Sequence, residues 1–239
     1  MSHGFFTTIL YQPLYNGLVY LIDIIPFADV GLAVIAFTCI VKLILFPLTK
    51  SAVRTQIEMR NIEPEMASIK EKYKNDKQEQ AKKMLELYRE KKINPFSSFF
   101  VILIQLPIII ALYQIFLKSG LPSITVDLLY SFVPVPEKVS MLFLGFFDIT
   151  KRSILLAVIT GVTAYIQAHF SMPPTPPKSE KPSFKDDLAR SMNIQARYVL
   201  PLFMFIVGYT VSGAVALYLI TSNIFTIGQE LVIRRKYKK

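Results

Sequence analysis

Cysteine is nearly missing from this chain: Cys39 stands alone among 239 residues. An intrachain disulfide is therefore excluded, and no cysteine pair can begin a metal site. Histidine is almost as scarce, with only His3 and His169, and neither sits in an HExxH or Ser/His/Asp arrangement. A glycine-rich phosphate cradle ending in Lys-Ser or Lys-Thr is also lacking, which removes a P-loop nucleotide site from consideration. The chain reads as a non-enzyme with no cofactor and no metal. One further shortage is positional: the first 41 residues contain neither lysine nor arginine.

What is present is apolar and concentrated. The chain is 52% hydrophobic with a mean hydropathy of +0.42. A helix needs roughly 20 mostly apolar residues to cross the hydrocarbon core, and about 17 can suffice. Runs 30–48, 99–117 and 153–170 qualify. Run 198–233 is too long for one span and contains Gly208, Ser212 and Gly213, so it reads as two spans joined by a tight turn. The expected architecture is an all-α membrane protein with five transmembrane helices. Its spans cover residues 29–50, 95–117, 153–170, 196–211 and 213–233.

Charge gives the orientation. Lysine and arginine accumulate in cytoplasmic loops. Residues 50–92 hold twelve of them, and the tail 234–239 holds Arg234, Arg235, Lys236, Lys238 and Lys239. The N-terminus is thus expected outside and the C-terminus in the cytoplasm, which requires an odd number of spans. Lys151 and Arg152 run against this scheme, because they fall on the outer side. The net charge of +10 sits in loops beside spans, so anionic lipid or a ribosome surface is the expected partner, with no direct nucleic-acid specificity.

The connecting segments have their own patterns. Residues 1–22 lack the basic start of a signal peptide, with a cleaved or uncleaved signal sequence as the alternative reading. They show a stripe of Phe6, Leu10, Leu14, Leu18 and Leu21, with Thr8, Gln12, Asn16 and Asp23 opposite. That predicts an interfacial helix within residues 1–28. Residues 51–94 read as a cytoplasmic hairpin. Its first arm carries Ile62, Met66, Ile69 and Tyr73, Pro64 marks a kink or a new first turn, and Asn75-Asp76 marks the turn between arms. The second arm carries Ala81, Met84, Leu85 and Tyr88. The outer loop 118–152 contains an apolar stretch, 139–147, too short to span. The cytoplasmic loop 171–195 is proline-rich and expected to be extended.

Polar residues inside the spans carry the functional reading. A charge at mid-bilayer costs about 2.5–3.5 kcal/mol on insertion scales. Lys42 lies six residues before Leu48, about 9 Å along a helix, a long reach for snorkelling. Thr38, Lys42 and Thr49 share one face. Gln105 and Ser98 share a second, and Thr160, Thr163 and Gln167 a third. Tyr218, Ser222 and Gln229 share a fourth, with Thr221 adjacent. Polar groups in lipid demand partners or water, so four such faces predict a shared hydrophilic groove. Glu230, near the cytoplasmic end of the last span, is the one acidic residue at depth. A cation in a wet groove is suited to an anionic visitor. Lone residues such as Gln114, Asn223 and His169 fit ordinary interhelical hydrogen bonds or a wet span end.

Several motifs resemble those of one family. The run Ile40-Val41-Lys42-Leu43-Ile44-Leu45-Phe46-Pro47-Leu48-Thr49-Lys50 resembles the first-span signature of the YidC/Oxa/Alb membrane-protein insertases. Glu71-Lys72-Tyr73-Lys74-Asn75-Asp76 resembles their hairpin turn. Ile93-Asn94-Pro95, Leu103-Ile104-Gln105-Leu106-Pro107-Ile108 and Ala111-Leu112-Tyr113 resemble the second core span. Val215-Ala216-Leu217-Tyr218-Leu219-Ile220-Thr221-Ser222-Asn223 resembles the last. The resemblance implies a bacterial inner-membrane insertase with a groove open to cytoplasm and lipid. A basic residue in that groove would attract acidic groups on the substrate's translocated tail. Lys42 looks like the occupant of that basic position, and Thr38, Gln105 and Tyr218 resemble groove positions. The implied partners are nascent membrane proteins, with the ribosome and the Sec translocon as further candidates.

The departures are specific. Lysine stands where the family usually has arginine, so the bidentate fork is lost. Leu219 replaces a common aromatic, Ser97-Ser98 a glycine pair, and Gly213 a common proline. About 28 residues precede the first span, so no large outer domain is expected. The competing class is a small transporter or channel. It would require paired intramembrane acids, inverted repeats or interrupted helices around a midplane site, and the sequence displays none of these.

Overall fold

The computed structural model describes residues 4, 6–94, 97–118, 121–171, 191 and 193–237. The proline-rich stretch 172–190, the side chain of Ser98 and the terminal Lys238 and Lys239 lie outside the described residues. The fold is that of an all-α membrane protein, with two compact units: Met1–Ile44 with Leu106–Ile227, and Leu45–Gln105 with Gly228–Lys239.

The first unit begins with a π-helical turn, Thr7–Tyr11, that runs into α1 (Gln12–Ile24). Its buried face is Tyr11, Tyr15, Leu18, Val19 and Ile22; of the expected stripe Leu18 is buried, and Phe6, Leu10, Leu14 and Leu21 are half-buried. The inward face also has hydrogen bonds to make. Asn16, expected on the polar side, is buried and fully used. Its Nδ2 donates to the Gln12 and Leu128 carbonyls (both 2.8 Å), and its Oδ1 accepts from Tyr130 N (2.6 Å). Tyr15 Oη accepts from Thr125 N at 2.8 Å. α1 is thereby tied to the loop of Thr125, Leu128 and Tyr130.

Helix α2 covers Val30–Ile44 and α3 covers Phe46–Asn61. The sequence reading ran the first span to residue 50, whereas the helix breaks at Leu45 (φ −82°, ψ 0°). Pro47 explains the break: it has no N–H for the i−4 carbonyl and fits only the first turn of a new helix. Further along, α6 (Ser97–Lys118) carries Pro107 within it. α7 covers Ile154–Ser171. A second π turn, Gln195–Val199, leads into α8 (Leu200–Thr210), and α9 covers Gly213–Tyr237. The expected turn in the last apolar run is thus present, at Val211 and Ser212. α7 and α9 are long and apolar enough to cross a membrane, and α2 with α3 qualify as one bent pair.

α7 and α8 pack by close backbone approach. A Cβ added at Gly208 would sit 3.1 Å from the Thr160 Cβ and 3.2 Å from the Ala157 Cα. Small residues at such crossings let helices meet where lipid supplies no hydrophobic driving force. Between α6 and α7, the stretch at 139–147 forms a two-stranded hairpin, β1 (Leu142–Phe143) with β2 (Phe147–Asp148), paired Leu142 to Asp148 and Phe143 to Phe147. Lys151, awkward for the charge rule, pairs with Asp148 at 3.0 Å. That carboxyl also accepts from Thr150, and both contacts hold it below its ordinary pKa.

The second unit holds the hairpin. α4 (Glu63–Lys72) starts with Pro64 in its first turn, and α5 (Lys77–Glu90) starts at Asp76. The Asp76 carboxylate accepts from Gln78 N (3.1 Å) and Glu79 N (3.0 Å), an N-cap. The arms enclose a small core of Ile62, Leu87 and Ile93, flanked by Met59, Met66, Ile69 and Tyr88. Ala81 and Leu85, assigned to the second arm's inner stripe, are exposed, and Leu87 takes that place. Exposed ion pairs such as Lys91–Glu65 (2.7 Å) decorate the surface.

Candidate functional site

The site begins at the end of α2. Because the helix stops at Ile44, Lys42 lies in its last turn rather than mid-helix. The final carbonyls of a helix carry partial negative charge, so an ammonium there is favoured. This is how the fold tolerates a lysine in an apolar run. Lys42 is half-buried. Its Nζ donates to Thr226 Oγ1 at 3.2 Å, and Thr226 Oγ1 donates to the Ser222 carbonyl at 2.8 Å. The α2 cation is thus set against a stripe of α9 made by residues 218, 222 and 226, one helical turn apart. Tyr218 and Ser222 on that stripe are buried.

The other expected residues distribute unevenly. Thr38 is buried one turn above Lys42, and its hydroxyl donates back to the Val34 carbonyl at 2.6 Å. Thr160 is fully buried against Gly208 in the α7–α8 seam and donates to the Leu156 carbonyl at 2.8 Å. The reason is steric, since the glycine opposite opens just enough room for a threonine. Gln167 is half-buried and donates to Ser171 Oγ at 3.1 Å. Gln105 is half-buried on α6. Asn223 makes the interhelical bond expected of it, donating to Thr163 Oγ1 at 3.2 Å. Glu230 is buried and pairs with Arg234 at 3.4 Å, one turn along its helix.

Thr226 is the site residue that the sequence reading missed. The signal was present, because Thr226 continues the Tyr218–Ser222 spacing by exactly one more i+4 step. A threonine near the polar end of a helix is unremarkable until a lysine from another helix meets it.

The molecule is an all-α membrane protein with a lysine set on a polar stripe between two apolar helices. The family model described as 60Kd inner membrane protein matches residues 22–239. Curated relatives named membrane protein insertase YidC come from Francisella tularensis subsp. novicida (strain U112), subsp. holarctica (strain LVS) and subsp. tularensis (strain SCHU S4 / Schu 4). Each is 32% identical over 209 residues, covering 87% of this chain and 33% of the relative. The chain spans about a third of the length of these relatives. It belongs to the 60Kd inner membrane protein family, that of YidC, Oxa and Alb.

Proposed function

We propose that this chain is a membrane-protein insertase. It passes hydrophobic segments and short N-terminal tails of nascent proteins into the bilayer of the bacterial inner membrane. Five spans, an outer N-terminus and a cytoplasmic C-terminus follow from the apolar runs and the charge asymmetry. The observation that carries the reading is the Lys42 ammonium on the Thr226–Ser222 stripe, in a chain of this family.

In this reading the polar stripe, together with Thr38, Thr160 and Gln167, is a wet path that lowers the cost of moving a polar tail part-way. Gln105 keeps its place as a residue the resemblance implies. Lys42 attracts a carboxylate on the tail. Burial of the substrate's apolar segment in lipid, helped by a membrane potential of about 2.3 kcal/mol per charge per 100 mV, completes the transfer. No nucleotide is consumed. The basic tail and the hairpin surface are offered to the ribosome, the Sec translocon or anionic lipid.

The test compares Lys42→Ala with Lys42→Arg in liposomes, using a substrate whose tail carries one carboxylate. Two unit charges about 4 Å apart attract by ~1 kcal/mol in water and ~4 kcal/mol at an effective dielectric near 20. Lys42→Ala is therefore expected to slow insertion of that substrate at least about fivefold. Lys42→Arg should preserve it, and a carboxylate-free tail should be indifferent. Full activity of Lys42→Ala on the acidic tail would overturn the electrostatic role.

A further inference from the structure

The end of the first unit where α1 meets α2 carries a second feature that the insertase reading does not use. Phe27 is 93% exposed and sits in left-handed backbone at φ 64°, followed by Ala28 at φ 51°. An aromatic residue rarely adopts that conformation, and it persists only where the surroundings over-determine it. The hairpin tip has the same character. Leu144 (φ 55°) and Gly145 (φ 81°) turn the chain, and Leu144 and Phe146 are exposed, Phe146 at 76%.

One residue holds both turns. Asp29 is buried, and its Oδ1 accepts from Gly31 N (2.8 Å) and Leu32 N (3.1 Å), capping α2. Its Oδ2 accepts from Leu144 N at 2.7 Å. Backbone bonds reinforce the join: Ser140 N donates to the Ala28 carbonyl (2.9 Å), and Val30 N donates to the Ser140 carbonyl (3.0 Å). Phe143 lies so close over Gly31 that an added Cβ would collide with its ring. Phe143 is half-buried over this join, whereas Leu142 beside it and Leu144 and Phe146 in the turn are exposed. The fold thus uses a buried carboxylate and two strained turns to project apolar side chains outward, where a water-facing loop would place polar ones.

We propose that Phe27, Leu144 and Phe146 are an anchor that enters the headgroup–acyl boundary of the leaflet at this end of the molecule. Continuity favours lipid over a protein partner. Phe27 lies in the link from α1 to α2, Asp29 bonds the hairpin tip to the start of α2, and α1 itself exposes Tyr20 and Ile24. Beside the tip, Asp23, Glu137 and Lys138 line a hollow of about 530 Å³ with Ile25, Phe27, Ala28 and Pro136. A mixed-charge rim next to protruding apolar tips matches the chemistry of a headgroup layer over acyl chains. The inference does not depend on which leaflet this is, nor on the role of Lys42.

The chain has no tryptophan, so one introduced indole reports alone. Phe27→Trp and Phe146→Trp variants of the full chain would be reconstituted in phosphatidylcholine/phosphatidylglycerol liposomes, with or without acyl-brominated lipid. Glu137→Trp serves as the rim reference. Both tip indoles are expected to emit at shorter wavelength than the reference and to resist aqueous iodide. They should be quenched best by bromines placed about 5–10 Å below the headgroups, the depth of interfacial side chains. Water-like emission open to iodide at both positions would overturn the proposal. So would a blue shift untouched by brominated lipid that grows with protein-to-lipid ratio, which would assign the tip to a second copy of the chain.

Discussion

The α7–α8 pair and the α4–α5 hairpin are both pairs of helices, and they are held by opposite means. In α7–α8 the backbones approach closely across Gly208 and Gly161, and hydroxyls such as Thr160 and Thr163 return their protons to carbonyls of their own helix. Their outer faces expose Leu155, Val158, Val162, Leu202, Phe203 and Ile206, as lipid requires. In α4–α5 the contact is a thin stripe around Ile62, Leu87 and Ile93, and the outer faces carry charge. The difference shows where each pair gets its stability. In water, expelling apolar surface drives association. In lipid that drive is absent, and close fit replaces it.

Substitutions can break this contrast. The largest effect is expected from Leu87→Ala, which empties the middle of the only apolar stripe described in the hairpin. A buried Leu→Ala change costs about 2–5 kcal/mol. Hydrogen exchange should rise across 62–93, while the thermal midpoint of the membrane-embedded helices stays put. Gly208→Leu attacks the other pair. It overfills a seam where even a Cβ is tight, at a cost of about 1–3 kcal/mol. It should lower the midpoint in detergent and leave hairpin exchange unchanged. Asp76→Ala removes an N-cap worth about 1 kcal/mol and should loosen the first turn of α5 by exchange. Lys91→Ala should be the mildest, because exposed ion pairs contribute about 0–1 kcal/mol. A large loss from Lys91→Ala together with a small one from Leu87→Ala would reverse the account of the hairpin.

Much of the architecture was legible before any coordinates. The apolar runs, the break at Val211–Ser212, the role of Pro64 and the turn at Asn75-Asp76 all follow from local rules of composition, capping and spacing. The failures share a cause. Asn16 belongs to the polar side of α1 by its spacing, and partners more than a hundred residues away draw it inward. Leu85 and Leu87 are two residues apart, and only the partner arm decides which one is covered. Nothing in the spacing of Thr160 tells that Gly208, on another helix, lies against it.

Lys42 marks the same boundary. The sequence by itself determined that a cation lies within an apolar run and that residues 218 and 222 form a polar stripe, since helical periodicity is a local property. Only the tertiary structure decided that the Lys42 ammonium rests on Thr226 and that Asp29 joins the start of α2 to a hairpin tip 115 residues away. Contacts between distant segments depend on which surfaces the whole chain can bury together, and no window of neighbouring residues contains that information.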